Sequence, residues 1–270
     1  MSDKAQLGTA LITGASTGIG AVYADRLAKR GYDLVLAARD EARLEALAAR
    51  LRAETGVAVE VVKADVTVRT DLAGLEARLR NDDRVTLLVN NAGASLNGTF
   101  AEADPDGLEN LIQLNIIALT RLANAAAAAF APRGRGTIVN LGSVIGLMPE
   151  FRNVVYGATK AYVLYLTQAI NEELAGSGVR LQAVLPGATR TEIWDRSGKG
   201  LASVDPNILM DVDELVDAAL AGLDQGELVT IPSLADPADW STFQAARLKL
   251  APNLSHRHPA ERYGVALASA

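Results

Sequence analysis

Short apolar runs alternate along the chain with longer stretches in which apolar residues recur every three or four positions. Thr9-Ala10-Leu11-Ile12, Leu34-Val35-Leu36-Ala37, Val57 to Val62, Val85 to Val89, Thr137 to Leu141, Val179 to Leu185 and Leu228 to Ile231 are the short runs. Their length and β-branched content suit buried strands. Ala21 to Arg30, Asp40 to Glu54, Asp104 to about Phe130 and Val154 to Ala175 follow the helical period instead, with Leu44, Leu47 and Leu51 on one face of the second stretch. Asp104-Pro105 is a helix-start signal, an acceptor side chain followed by a ring that presets φ. Strand and helix in alternation predict an α/β fold, a doubly wound parallel sheet with helices on both faces. Ligands of such sheets lie beyond the carboxyl ends of the strands. Gly14, Asn90, Ser143 and Pro186 each follow an expected strand, so four loops distant in sequence are expected to converge on one edge. The 270 residues suit a single domain, 1–270, with its core from about 7 to 231.

Two segments carry recognisable chemistry. Thr13-Gly14-Ala15-Ser16-Thr17-Gly18-Ile19-Gly20 stands between a strand and a helix start. Glycines allow a sharp turn and close approach of the backbone to a pyrophosphate, and the helix N-terminus offers aligned N–H donors. The spacing is Gly-x-x-x-Gly-x-Gly, which differs from the common dinucleotide fingerprint. Tyr156 and Lys160 stand four apart in an expected helix, so phenol and ammonium share one face. At about 4 Å and an effective dielectric of about 20 their attraction is about 4 kcal/mol, or about 3 pKa units. That predicts a phenol whose pKa falls toward the neutral range, where acid–base catalysis is most effective.

In order along the chain, Thr13 to Gly20, Asn90-Asn91-Ala92-Gly93, Asn115, Ser143, Tyr156, Lys160, Pro186-Gly187 and Thr191 resemble the motifs of the classical short-chain dehydrogenase/reductase family. The resemblance runs from about residue 7 to 231 without a departure at a catalytic position. It implies a Rossmann-type sheet of about seven strands in the order 3-2-1-4-5-6-7. It also implies a catalytic set of Asn115, Ser143, Tyr156 and Lys160. By the same resemblance, Gly14, Ser16, Thr17, Gly18, Ile19, Gly20, Asn91, Ala92, Gly93, Pro186, Gly187 and Thr191 contact the cofactor, Thr191 at the nicotinamide carboxamide or else as a cap. Lys160 holds the ribose hydroxyls, Tyr156 exchanges the proton and Ser143 steadies the reacting oxygen. Asn115 distorts its helix and holds a water that links the lysine to solvent. Asp65 and Val66 match the pair that holds the adenine ring, with a plain helix cap as the alternative. The expected activity is hydride transfer between a nicotinamide cofactor and a ketone or aldehyde, with the corresponding alcohol as the other partner. A non-catalytic dinucleotide-binding redox sensor on the same fold is the alternative, although such proteins usually lose the tyrosine or lysine.

Cofactor choice turns on the end of strand two, which reads Ala37-Ala38-Arg39-Asp40. An acidic residue there would bond a ribose 2′-hydroxyl, and an arginine would accept a 2′-phosphate. Ala38 stands where NAD-preferring relatives carry Asp, and Arg39 follows. NADP(H) is therefore the expected cofactor and NAD(H) the alternative, with Ser16 a second contact for the phosphate.

Composition narrows the class further. A net charge of -6 and a pI near 5.1 argue against a nucleic-acid partner, which would call for a basic face. There is no unbroken run of 18 apolar residues, so no membrane span is expected. The first residues lack the pattern of a secretory signal, and zero cysteines exclude disulfides and thiol catalysis and suit the cytoplasm. A homodimer or homotetramer is expected from the family's pairing of long helices, helped here by the alanine run 125–129. Ile145, Leu147, Met148, Phe151, Ile193 and Trp194 would frame an apolar substrate pocket, with Arg152, Arg190 and Arg196 near it in sequence. Residues 192–211 read as a lid. Residues 232–270 form an extension whose Trp240, Phe243 and Arg247 share a helix face, and His256-Arg257-His258 reads as a solvated segment.

Overall fold

The structure, a computed structural model, describes residues 7–198 and 200–265. In chain order its elements are β1 (Thr9–Thr13), α1 (Gly18–Arg30), β2 (Asp33–Ala38), α2 (Glu41–Thr55), β3 (Val59–Lys63), α3 (Arg69–Asn81), β4 (Val85–Asn90), α4 (Pro105–Ile112), a π-helical segment (Gln113–Ala118), α5 (Leu119–Arg133), β5 (Gly136–Leu141), α6 (Val154–Glu173), β6 (Val179–Val184), α7 (Ile193–Arg196), α8 (Val212–Asp224), β7 (Val229–Thr230) and α9 (Pro237–Leu248). The seven strands form one parallel sheet in the order β3-β2-β1-β4-β5-β6-β7. This is the Rossmann-type order expected. β1 pairs with β2 on one side and β4 on the other, Leu11 lying opposite both Val35 and Leu88. Strand order reverses at that point, and a crevice opens at the carboxyl end of β1.

All five residues of β1 are buried. Ala10 and Ile12 face a core shared with α1, α2 and α8, whereas Leu11 faces the core of α3 and α5. Alternate residues of one strand thus serve the two faces of the sheet. Ala125 and Ala126 are fully buried in the second core with Leu75 and Leu79 of α3, so part of the alanine run packs inside the chain.

Helices α3 and α8 escaped the reading by periodicity, because arginine-rich α3 buries only a narrow stripe of Leu72, Leu75 and Leu79. The expected long helix from Asp104 is real, but Gln113–Ala118 interrupts it as one π turn. Pro105–Arg133 is long and apolar enough, by length and composition, to cross a membrane. Polar residues scattered along it keep it from forming an unbroken apolar run. Half of its most apolar window is buried inside the fold, as in a core helix. Within 192–211 the described residues form only short turns, including α7, Leu201–Ser203 and Pro206–Ile208.

From Ser233 the chain forms a second compact unit. Its α9 is capped by Asp236, which accepts from Ala238 N at 2.8 Å. The rings of Trp240 and Phe243 lie 5.4 Å apart. Both histidines are exposed, and His256 stands 3.4 Å from Asn253 Oδ1. Among the described residues no cluster of His, Cys, Asp and Glu is suited to a metal ion.

Candidate active site and cofactor cradle

The loop after β1 is built for close approach. Gly14 has φ +66°, in the left-handed region, and a Cβ there would press on the Asn91 amide. A Cβ on Gly20 would collide with the Gly14 carbonyl oxygen. Asn91 ties the next strand end to this loop. Its Nδ2 donates to Thr13 O at 2.9 Å and to Gly14 O at 3.2 Å, and Thr13 Oγ1 accepts from the N–H groups of Asn91 and Ala92, both at 3.1 Å.

At the start of α1, Thr17 makes no side-chain cap and the first turn carries no acidic residue. Three other helices, α2, α4 and α9, are capped by Asp40, Asp104 and Asp236. Uncapped N–H donors and the positive end of the helix dipole suit an anion. Thr191 lies across the cradle, its methyl group 3.3 Å from where a Cβ on Gly18 would stand. Ser16, Thr17 and Ile19 are partly buried along the same loop, and Pro186 and Gly187 follow β6.

Arg39 follows β2 directly, with its side chain 76% exposed, 3.9 Å from Asp65. Burial pushes the Asp65 carboxyl up, but hydrogen bonds from the Thr67 hydroxyl and N–H and the charge of Arg39 outweigh it, leaving the pKa below the ordinary value. Asp65 therefore caps its own turn, and Val66 beside it is buried. Arg43, in the first turn of α2, forms an ion pair with Glu192 beside Thr191, its Nη1 donating to both carboxylate oxygens at 2.9 and 3.0 Å. Glu192 also accepts from Arg196 at 2.6 Å, and Arg190 pairs with Asp211 at 2.8 Å.

Ser143, Tyr156 and Lys160 meet where β5 ends. Ser143 Oγ donates to Pro186 O and accepts from Ile145 N, both at 3.3 Å, and is also a hydrogen-bond partner of the Tyr156 phenol. Lys160 is buried and donates to Leu141 O at 2.7 Å. Its ammonium lies 5.6 Å from the centroid of the Tyr156 ring.

The expected fall in the Tyr156 pKa does not occur. Burial pushes the phenol up to about 12, opposed only by its hydrogen bond with Ser143, and burial pushes Lys160 down to about 8. Dehydration penalises each charged form. The ammonium, held by a carbonyl oxygen beside the ring, does not offset that penalty for the phenol.

Asn115 occupies the π turn, a distortion frequent at functional sites. Fully buried, it makes a paired bond with Ala94, accepting from its N–H and donating to its carbonyl oxygen, both at 3.0 Å. Its Nδ2 also donates to Thr159 Oγ1 at 3.1 Å. Gly93 leaves room beside it, since a Cβ there would stand 3.3 Å from Asn115 Oδ1 and 3.6 Å from Lys160 Nζ. The residues named from sequence thus meet at one edge of the sheet. Missed were Thr159 and the buried partners of Asn90, namely Asn140 and, through it, Thr167, linked at 3.0 Å and 3.0 Å. The clue to Thr159 was a polar residue between Tyr156 and Lys160 on the buried side of the helix.

The family model for short chain dehydrogenases matches residues 8–202. A short-chain dehydrogenase from Sphingobium yanoikuyae, solved in complex with NADPH, is 55% identical, with a TM-score of 0.92 over 95% of this chain and 100% of that one. A bulky-bulky ketone specific alcohol dehydrogenase from Comamonas testosteroni is 49% identical, with a TM-score of 0.88 over 96% of this chain and 99% of that one. An uncharacterized oxidoreductase of Staphylococcus saprophyticus is 31% identical over 223 residues, 82% of this chain and 93% of its own length. Motif order, strand order and these matches agree that the chain belongs to the short-chain dehydrogenase family of oxidoreductases.

Proposed function

We propose that the protein is an NADPH-dependent carbonyl reductase that converts an uncharged, hydrophobic ketone or aldehyde into the alcohol. The observation that carries this reading is the convergence of Ser143, Tyr156 and Lys160 with the uncapped start of α1 at one edge of the sheet. The open cradle of Gly14, Gly18 and Gly20 and the unneutralised helix start fit a dinucleotide pyrophosphate. The exposed guanidinium of Arg39, with Ser16 nearby in the loop, fits a 2′-phosphate. NADPH in the 55%-identical relative supports the same choice.

Gly14 to Gly20, Asn91 to Gly93, Pro186, Gly187 and Thr191 would hold the cofactor, with Asp65 and Val66 at its adenine end. When bound, the nicotinamide supplies the hydride. Tyr156 holds its proton throughout the neutral range, because its pKa stands at about 12. It is therefore poised to give that proton to a carbonyl oxygen as negative charge develops there. Ser143 donates to the same oxygen and stabilises that charge. Lys160, still protonated at neutral pH, would bind the ribose hydroxyls, and Asn115 would hold a water that links the lysine to solvent.

Ile145, Leu147, Met148, Phe151, Ile193 and Trp194 give the entrance its apolar character. Among the three arginines near it, Arg190 and Arg196 are held by Asp211 and Glu192, which favours an uncharged substrate. The redox-sensor reading is not favoured, since tyrosine and lysine are both kept on one face of α6. The test is NADPH consumption with a panel of bulky ketones, beside fluorescence titration with NADPH and NADH. Turnover with NADPH preferred is expected, and binding of neither nucleotide would overturn the reading.

A further inference from the structure

Asn153 occupies the N-cap of α6, a position at which asparagine normally bonds the first N–H groups of its own helix. Here its side chain makes no cap. It reaches away to the loop after β4, where Nδ2 donates to Ser95 Oγ at 3.2 Å. The turn that delivers it is unusual, because Arg152 has φ 56° and is the one non-glycine residue with positive φ among those described. Asn153 stands three residues before Tyr156, hence on the same side of the helix. Both line one small pocket whose other walls include Leu96, Phe100, Leu108 and Val154. A primary amide has two N–H donors and an acceptor oxygen. The bond to Ser95 uses one donor, and no other side-chain hydrogen bond engages Asn153 among the described residues.

We infer that Asn153 is a specificity residue of the substrate pocket, its second amide N–H donating to an acceptor oxygen on the carbon next to the reacting carbonyl. The substrate class follows from that chemistry: hydrophobic α-diketones or α-keto esters, whose second oxygen the amide bonds while Tyr156 and Ser143 engage the first. Ser95 acts as a positioning residue that aims the amide. A helix cap is given up locally, and the amide so freed lines a pocket whose walls combine Leu96, Phe100 and Leu108 with Asn97 and Thr99; one well-placed hydrogen bond there discriminates more sharply than added apolar contact does.

This inference rests on the carbonyl-reductase reading, and the experiment separates the two. NADPH-dependent reduction of an aryl α-diketone and of the monoketone with the same carbon skeleton is measured for the wild type, Asn153→Ala and Ser95→Ala. Melting temperature and NADPH affinity serve as controls for folding. Asn153→Ala is expected to lower the diketone-to-monoketone ratio of kcat/KM about 5-fold, the scale of one neutral hydrogen bond. Ser95→Ala, which keeps the amide but frees it, is expected to lower the ratio less. If both variants slow the two ketones equally, Asn153 and Ser95 are only a strut and the specificity role is overturned. A ratio that does not move in Asn153→Ala overturns that role as well. A wild type that binds NADPH but reduces neither ketone overturns the carbonyl-reductase reading and the subsite with it.

Discussion

Asn115 donates a hydrogen bond to Thr159 Oγ1 at 3.1 Å, joining the π turn that follows α4 to the stretch of α6 between Tyr156 and Lys160. Thr159 in turn donates to Tyr156 O at 2.7 Å, so hydrogen bonds tie the loop after β4, the π turn and the tyrosine helix together. Replacing Asn115 by leucine strips the partly buried Ala94 N–H and carbonyl groups of their partner. A loss of about 1–3 kcal/mol per stranded group is expected, read as a lower denaturation midpoint. Thr159→Val should cost about 2 kcal/mol, because it removes two neutral bonds.

Tyr156→Phe should lower kcat by a factor of about 10²–10⁴, the usual contribution of a positioned acid, and leave NADPH affinity nearly unchanged. A Phe variant with undiminished turnover would remove the phenol from the mechanism.

Arg39→Ala should weaken NADPH far more than NADH, since only the former carries the phosphate that the guanidinium would bind. Parallel nucleotide titrations decide it, and equal losses would shift the phosphate contact elsewhere.

The two buried ionisable groups give opposite slopes in adjoining pH windows. Lys160 has a pKa of about 8 in the folded chain against 10.5 as an exposed group. Between those values the unfolded chain binds more protons, so stability rises with pH. The full gain is about 3 kcal/mol, taking 1.36 kcal/mol for each unit of displacement. Tyr156, at about 12 against 10.0, keeps its proton when the unfolded chain loses it, so stability falls with pH across that upper window. Lys160→Met should flatten the rise between pH 8 and 10.5 in thermal denaturation scans, whereas Tyr156→Phe should remove part of the fall above pH 10.

Across the cofactor cradle, Arg43 and Glu192 join α2 to the 192–211 segment. Both are exposed, so Glu192→Gln should change global stability by no more than about 1 kcal/mol. Backbone amides near Ile193 should exchange faster with solvent in that variant. Unchanged protection there would mean that the pair does not restrain the segment.

The regular framework was legible in the sequence because its causes are local. A strand such as Val85 to Val89 declares itself by a short apolar run broken only by Thr86, and the α1 start by glycines that few other residues can replace. The positions of Tyr156 and Lys160 followed from helical spacing alone, and their neighbours from motif order. Even α3 carried its stripe of Leu72, Leu75 and Leu79, too narrow among arginines to stand out. What the tertiary structure decided depends on which distant groups share a dry volume. Spacing placed a cation beside the phenol and pointed to a lowered pKa, but dehydration of both groups reversed the sign. Motif order put Asn115 in the catalytic set, but its partners, the backbone of Ala94 and the hydroxyl of Thr159, came only with the tertiary structure. Nothing in the sequence pairs Asn153, which precedes the expected helix, with Ser95 from a loop after another strand. Periodicity and backbone preference are properties of neighbours in the chain, whereas desolvation and hydrogen-bond partnership are properties of neighbours in space.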